Sequence, residues 1–150
     1  MEQALRSRID QISREIPDSI ADRMCFQLVD WDEEKRDYTF ACRTQVWMRN
    51  FAGTLHGGMC ATILDQAMGF VASCLKPGPG IAPTVQMEVN YHRPLIPGEE
   101  VLVKVHVVSV TRSLMNLTAE AMRLTSPDKV CLSGSGIFFY KPAEDHVANL

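Results

Sequence analysis

The chain has 150 residues, 46% of them hydrophobic and 22% charged, which suits one folded domain with a substantial core. Its formal net charge of -3 gives no general attraction to nucleic acid or to an anionic membrane, so we expect neither as a partner. The five cysteines lie mostly in apolar runs, which indicates core residues in a reducing compartment and favours a cytoplasmic protein. The sequence shows no long apolar leader and no membrane-length segment.

The N-terminal segment has the pattern of an amphipathic helix. Its apolar residues recur at spacings of three and four among charged ones: Leu5, Ile9, Ile12 and Ile16. We therefore expect residues 1–20 to form a helix that ends near Pro17 and docks on the rest of the protein. Residues 21–142 are predicted to form a single domain, and residues 143–150 a loosely held tail.

The next part of the chain is predicted to form two short strands and one long helix. The strands cover residues 23–30 and 37–43 and are joined by a charged turn. A continuous apolar run over residues 59–75 then predicts a helix, which the Pro/Gly segment at residues 76–80 ends because these residues do not continue a helix.

Beyond that helix, apolar and polar residues alternate with period two, which indicates half-buried strands. The alternation predicts strands at 85–91, 101–110, 115–124 and 130–140, separated by turns at 93–98, 111–113 and 125–129. Gly134 and Gly136 indicate that another backbone approaches the last strand closely, or that a bulge kinks it. The whole order is an α+β pattern, in which the sheet must cover the long helix.

The long helix carries a single charge, Asp65, among the residues 59–75. Burying an unpaired carboxylate is costly, so this acid is expected to be hydrogen-bonded or to face a wet pocket. Just upstream, His56-Gly57-Gly58 marks the start of the helix, where free N–H groups and the helix dipole can stabilise a developing negative oxygen. An oxyanion site and a carboxylate on one helix point to acyl chemistry.

Each of these residues also has a structural interpretation. Asp65 could pair with a buried donor, and Gly57 with Gly58 could simply permit a tight turn. His56 could act as a base or could fix the loop by hydrogen bonding.

Other chemistries have less support in the sequence. Cys60 lies one turn after His56, but an apolar helix favours an inert core thiol over a nucleophile. The histidines and cysteines lack the paired spacing of a metal site, and no glycine loop opens a helix to cradle a phosphate. We therefore expect no metal and no separate cofactor.

The same residues resemble the motif of the hotdog-fold thioesterases, and within them the PaaI-like branch of acyl-CoA thioesterases. The resemblance rests on Asn50, the His56-Gly57-Gly58 run, Asp65 and a strand that begins near Thr84. It spans roughly residues 21–140. It implies a hotdog fold, in which a curved antiparallel sheet wraps around a long central helix, and a homodimer or dimer of dimers with active sites between protomers.

The resemblance also implies a reaction, the hydrolysis of an acyl-CoA thioester to a free acid and CoA. The Gly57 N–H would polarise the thioester carbonyl, and Asp65 of the facing protomer would act as general base or as nucleophile. Asn50 would orient the water or the thioester, with loop capping as its structural alternative, and Thr84 would place a hydroxyl near the acid. Coenzyme A would need cations for its phosphates, and the candidates are Arg93 and Arg112, with Arg49 and Lys104 as further possibilities.

Two other functions remain as alternatives on this fold. The site of a hydratase or dehydratase on this fold would resemble a His paired with a Glu further along the helix. This helix offers Asp65 and no Glu. A non-catalytic acyl-CoA sensor would keep the pocket and lose the carboxylate. Asp65 therefore favours hydrolysis over both.

Overall fold

The computed structural model describes residues 1–78 and 80–142, so the predicted tail at 143–150 lies outside the described residues. The helices are α1 (Glu2–Glu15), α2 (Ile20–Arg23) and α3 (Gly57–Cys74), with one 3-10 turn at Val46–Met48. The strands are β1 (Gln27–Asp32), β2 (Asp37–Arg43), β3 (Gly80–Ile81), β4 (Thr84–Tyr91), β5 (Glu100–Val110), β6 (Leu114–Arg123), β7 (Ser126–Phe139) and β8 (Lys141–Pro142). None of the described helices has the length and apolar character needed to cross a membrane.

Six of the strands form one antiparallel sheet in the order β1-β2-β5-β6-β7-β4, and β3 pairs with β8 separately. All five neighbouring pairs of the large sheet are antiparallel. The sheet therefore has two edges, β1 and β4. The α+β architecture predicted from the sequence is confirmed, with the long helix packed against the sheet.

The core lies between α3 and the sheet. In β5 the residues that face the helix are valines, each at most 2% exposed: Val101, Val103, Val105 and Val107. Their alternation with exposed residues is what a sheet with one covered face requires. Leu5 of α1 is fully buried in the same core, so the N-terminal helix packs on the domain as its amphipathic pattern predicted.

At position 134 of β7 only glycine fits, because the neighbouring strand approaches closely. A Cβ atom at this position would lie 2.5 Å from the Glu88 carbonyl oxygen and 3.1 Å from Leu64 Cδ1. A Cβ at Gly136 would lie 3.1 Å from the Met68 side chain. The two glycines thus let β4 and α3 approach β7, which confirms the expectation of a closely approaching backbone.

Two predicted boundaries were wrong. The first strand begins at Gln27 instead of residue 23, because Ile20–Arg23 forms a helical turn that the Ser19 hydroxyl caps by accepting from Asp22 N–H. The predicted turn at 125–129 is shorter, since Ser126 already lies opposite Arg123. Pro127 is tolerated there because the pairing of β6 with β7 is irregular at that point.

Candidate active site

The start of α3 is held from two sides by side chains. His56 is the N-cap residue, and its Nδ1 accepts a 3.0 Å hydrogen bond from the Gly58 N–H. The Tyr91 hydroxyl, at the end of β4, donates a 2.9 Å hydrogen bond to the Gly57 carbonyl. The Gly57 N–H, in contrast, has no acceptor within the described part of the chain. One helix-terminal donor is therefore left for a ligand.

The contact of His56 supports the structural role among the two predicted for it. A ring nitrogen that accepts a hydrogen bond carries no proton, so the N-cap contact places the ring proton on Nε2. His56 then satisfies Gly58, and the neighbouring amide of Gly57 stays available. The exposed ring thus contacts the backbone at the start of α3.

Asn50 closes the loop that precedes the helix. Its Nδ2 donates to Thr54 Oγ1 at 2.8 Å, and its Oδ1 accepts from the Thr54 N–H at 3.1 Å. Asn50 also lines a cavity of about 320 Å³ together with Gly57 and Arg93. The structure thus brings these three predicted residues together around the helix start, where Asn50 fixes the loop. We call this space the donor cavity.

Asp65 lies two turns further along α3, where it is half-buried. The Thr84 hydroxyl, at the start of β4, donates a 2.6 Å hydrogen bond to Asp65 Oδ1. Both residues line a second cavity of about 250 Å³, which we call the acid cavity. The only charge of the apolar helix is therefore hydrogen-bonded and also faces open space, which explains how a carboxylate is tolerated there.

Within one chain the donor cavity and the acid cavity are separate. They share no lining residue, and the donor cavity has no carboxylate in its lining. Gly57 and Asp65 are eight residues apart on α3, which corresponds to about 12 Å along the helix axis. A single chain therefore holds the two halves of the predicted site too far apart to act on one carbonyl group.

The two predicted phosphate-binding arginines also lie far apart. Arg93 follows β4, donates to the Val130 carbonyl at 2.7 Å, and lines the donor cavity at the N-terminal end of α3. Arg112 lies in the turn after β5, whose Thr111 carbonyl accepts from Lys76 just beyond the C-terminal end of α3. In one chain the two arginines are at opposite ends of the helix.

Cys60 lines the donor cavity, but its thiol has low reactivity. Burial raises the pKa of Cys60 to about 11, so the thiol is protonated and weakly nucleophilic at neutral pH. Among residues 1–78 and 80–142, the side chains of His, Cys, Asp and Glu form no group of three placed to hold a metal ion.

A wider groove of about 500 Å³ lies on the sheet near Asp37, His106 and Glu120. These residues alternate along their strands with the buried residues that face α3, so the groove is on the opposite face of the sheet. It is more spacious than the acid cavity but holds neither the oxyanion donor nor Asp65. We therefore place the candidate site at the two cavities along α3.

Two residues near the site were not singled out from the sequence. Tyr91 was part of an alternating strand, and nothing local shows that its hydroxyl reaches Gly57. Arg8 belongs to the polar face of α1, yet it lines the acid cavity together with Asp65. Both positions depend on which elements pack together, which sequence periodicity does not specify.

Comparison with known proteins gives the family. Residues 52–128 match the family described as Thioesterase superfamily, which is about half of the chain. Over 66 residues the chain is 35% identical to mouse acyl-coenzyme A thioesterase 13, a match that covers 43% of this chain and 46% of that protein. The chain thus spans about half the length of the curated relatives it matches.

Two solved structures show the same fold over nearly the whole chain. The mouse thioesterase superfamily member 2 superposes with a TM-score of 0.73 at 23% identity, covering 93% of this chain and 96% of that one. The E. coli PaaI protein from the phenylacetic acid degradation operon gives a TM-score of 0.72 at 14% identity, covering 91% and 96%. The chain therefore belongs to the Thioesterase superfamily, with the PaaI-like hotdog fold that the sequence resemblance predicted.

Proposed function

We propose that the protein hydrolyses an acyl-CoA thioester to a free acid and CoA, at sites formed between two copies of the chain. The observation that carries this proposal is the 2.6 Å hydrogen bond from Thr84 to the lone Asp65 of α3, facing an open cavity. The Gly57 N–H at the start of the same helix, which has no acceptor among the described residues, supplies the complementary group. These are the carboxylate and the oxyanion donor that acyl transfer requires.

The second copy is required because one chain separates these groups, and strand β4 offers a way to join them. β4 is an edge of the sheet, and several of its side chains are exposed, including Val85 at 61% and Tyr91 at 56%. An exposed edge strand is a template for pairing with another chain. Two hydrogen bonds join β4 to α3: its first residue, Thr84, donates to Asp65, and its last, Tyr91, donates to the Gly57 carbonyl.

Antiparallel pairing of β4 with the β4 strand of a second copy sets the start of one strand beside the end of the other. The Asp65 half-site of each chain then lies next to the Gly57 half-site of the other. Two equivalent sites result, related by a two-fold axis, as is usual for a homodimer. The proposal thus extends to a homodimer or a dimer of dimers.

In this site the reaction needs only groups of the protein and one water. The Gly57 N–H donates to the thioester oxygen as negative charge develops on it. Asp65 supplies the carboxylate that activates the attacking group, while Thr84 occupies Oδ1 and fixes its orientation. The C–S bond breaks, the elements of water are added across it, and the products are a carboxylic acid and the CoA thiol.

The superfamily and the name of the mouse relative, acyl-coenzyme A thioesterase 13, support coenzyme A thioesters as the substrate class. Arg93 lines the donor cavity and is the better placed of the two predicted arginines to bind a phosphate group there. Arg112 lies at the other end of α3, so it would reach the same CoA only from another chain or along the length of the helix.

The direct test measures thiol release from short, medium, long and aromatic acyl-CoAs. We expect the wild type to hydrolyse some of them and Asp65→Asn to lose at least about a hundredfold in turnover, the scale of a positioned acid–base group. Glu120→Gln is the matched control, because it neutralises an exposed carboxylate on the other sheet face and should leave turnover unchanged.

Two results would contradict the proposal. Near-normal turnover of Asp65→Asn would remove this carboxylate from the mechanism. If no thioester is hydrolysed by the wild type, yet acyl-CoAs raise the melting temperature of wild type and variant alike, the protein is an acyl-CoA sensor.

A further inference from the structure

The wall of the acid cavity opposite Asp65 is formed partly by helix α1. Arg8 and Ile12 of this helix line the cavity together with Asp65, Gly69 and Phe70 of α3. The N-terminal helix is thus part of the candidate site and not only a cover for the core. Any group that extends past Asp65 into this cavity meets α1.

Arg8 is held in place by two neutral acceptors. Its Nη2 donates to the Gly80 carbonyl at 3.1 Å, and its Nη1 donates to Gln11 Oε1 at 3.3 Å. A guanidinium group has five N–H donors, so donors remain after these two contacts. The two bonds hold the plane of the group and reduce the entropy lost when a further ligand binds.

Within residues 1–78 and 80–142, the structure shows no ion pair between Arg8 and an acidic side chain. Its neighbour Cys74 adds no negative charge at neutral pH, because burial raises the pKa of that thiol. Arg8 is half-buried, so its charge is less well hydrated than that of a surface arginine.

The acid cavity is lined by two charged groups, Asp65 and Arg8. Arg8 is close to Cys74, which is nine residues beyond Asp65 on α3, or about 13 Å along the helix axis. The lining also includes apolar side chains and a glycine: Ile12, Gly69, Phe70, Ile81 and Phe138. Gln66, Ser73 and Thr84 belong to the same lining, so a carboxylate and a cation share one cavity whose walls are partly apolar.

We propose that the acid cavity receives an acyl group whose far end carries a carboxylate, and that Arg8 binds this carboxylate. The inference rests on the proposed function, since the acyl group must enter the cavity from a thioester at Asp65. A guanidinium–carboxylate contact is charge-assisted and can be bidentate, so it selects for such substrates. An uncharged acyl chain of equal length leaves Arg8 without a partner, which costs affinity. The substrate class is the CoA monothioester of a dicarboxylic acid.

The test compares matched pairs of substrates that differ only at the far end: succinyl- with butyryl-CoA, glutaryl- with valeryl-CoA, and adipyl- with hexanoyl-CoA. For at least one pair we expect the wild type to show a higher kcat/KM for the carboxylate-bearing member. Arg8→Gln should lower that kcat/KM about tenfold or more, the scale of a lost hydrogen bond to a charged group. The uncharged member should change by no more than about twofold.

Two further variants separate charge from structure. Arg8→Lys keeps the charge and should retain part of the preference, whereas Arg8→Glu should lower the kcat/KM of the carboxylate-bearing substrate further by repulsion. The melting temperature of each variant shows whether loss of the hydrogen bond to Gly80 destabilises the fold. If Arg8→Gln does not fold, the substrate preferences of the wild type and of Arg8→Lys still test the role of Arg8.

The outcomes distinguish this inference from the proposed function. Equal kcat/KM for both members of every pair in the wild type would overturn the role of Arg8 and leave the hydrolase intact. Equal losses for both members in Arg8→Gln would make Arg8 a structural brace and contradict the inference. If the wild type hydrolyses none of the six thioesters or the wider acyl-CoA panel, the proposed function itself fails.

Discussion

The hydroxyl of Thr84 donates a 2.6 Å hydrogen bond to Oδ1 of Asp65, and this contact joins the start of an edge strand to the middle of the central helix. Thr84 and Asp65 are 19 residues apart in the sequence. The bond leaves Oδ2 of Asp65 without a donor in the described part of the chain, so one carboxylate oxygen is fixed and the other is open to the cavity.

Removal of the Thr84 hydroxyl should disturb the orientation of Asp65. Thr84→Val keeps the branched shape but lacks the donor, and we expect kcat to fall at least about tenfold, the scale of a hydrogen bond to a charged group. Thr84→Ser keeps the hydroxyl and should stay within a few-fold of the wild type. Thiol-release kinetics on both variants measure the effect; equal activity of Val and Ser variants would mean that the bond is not used.

The Gly57 N–H can be deleted with little disturbance of the helix. Gly57 occupies the first helical position, where proline is tolerated, and His56 already has the extended backbone that precedes a proline (φ -62°, ψ 136°). Gly57→Pro should therefore fold and lose about a hundredfold to a thousandfold in kcat.

Gly57→Ala is the matched control for this variant. Its Cβ would meet the Tyr91 ring at 3.7 Å, an ordinary contact, and the N–H is kept. We expect turnover close to that of the wild type. If the alanine variant loses as much activity as the proline variant, the loss comes from side-chain bulk and the oxyanion role is contradicted.

Mixing two inactive variants tests whether sites form between chains. Asp65→Asn supplies an intact Gly57, and Gly57→Pro supplies an intact Asp65. When the two proteins are unfolded together and refolded, each mixed pair should contain one complete site, and thiol release should reappear. Each variant refolded alone is the control. Activity that does not return, although mass spectrometry shows mixed pairs, would place both groups of a site in one chain.

The ion pairs of Asp37 predict a pH-dependent contribution to stability. Burial acts to raise the pKa of Asp37, but hydrogen bonds from His106 and Lys104 outweigh it and hold the pKa below its usual value of 3.8. A carboxyl group whose pKa is lowered by folding stabilises the protein above its unfolded pKa, and this contribution is lost as pH falls through the folded pKa.

Asp37→Asn should therefore lower the free energy of unfolding by at most about 1 kcal/mol at neutral pH, because its partners are half exposed. The difference from the wild type should shrink toward zero as the pH falls below 3.8. Urea unfolding at a series of pH values measures it. A difference that stays constant into the acid range would contradict the ion-pair explanation.

Gly134 and Gly69 should respond to alanine in opposite directions. The Cβ of Gly134→Ala would lie 2.5 Å from a backbone oxygen of β4, so strands must separate, and we expect a loss of about 2 kcal/mol or more. At Gly69, in the interior of α3, the nearest atom to a Cβ is 3.9 Å away, and alanine should add about 0.5–1 kcal/mol through helix propensity. Thermal or urea unfolding measures the stability of both variants. A Gly134→Ala variant as stable as the wild type would show that β4 can move away from β7 at little cost.

Local patterns were sufficient to predict most elements of this fold. The apolar run around Asp65 predicted α3, and the alternating valines predicted β5, since the periods of helix and strand follow from backbone geometry alone. The boundaries near residues 20–27 and 124–126 were wrong because helix caps and strand pairing compete there, and pairing partners are distant in sequence.

The motif also located part of the candidate site before the structure did. Asp65 and Gly57 stand out because a lone charge in an apolar run and glycines at a helix start are unusual within a short window, whereas Asn50 was named only through the family resemblance. The functions of these residues were implied by the resemblance to a family, and no window of sequence specified which of them meet.

The sequence by itself determined the types of the elements and the presence of an acid and of glycines at the start of one helix, because these depend on neighbours along the chain. Only the tertiary structure decided that Thr84 reaches Asp65, that Tyr91 holds Gly57, and that the two half-sites remain separate within one chain. It also brought Arg8 into the acid cavity. Such contacts depend on how helices and strands pack across long separations, and burial of the common core, not local periodicity, fixes that packing.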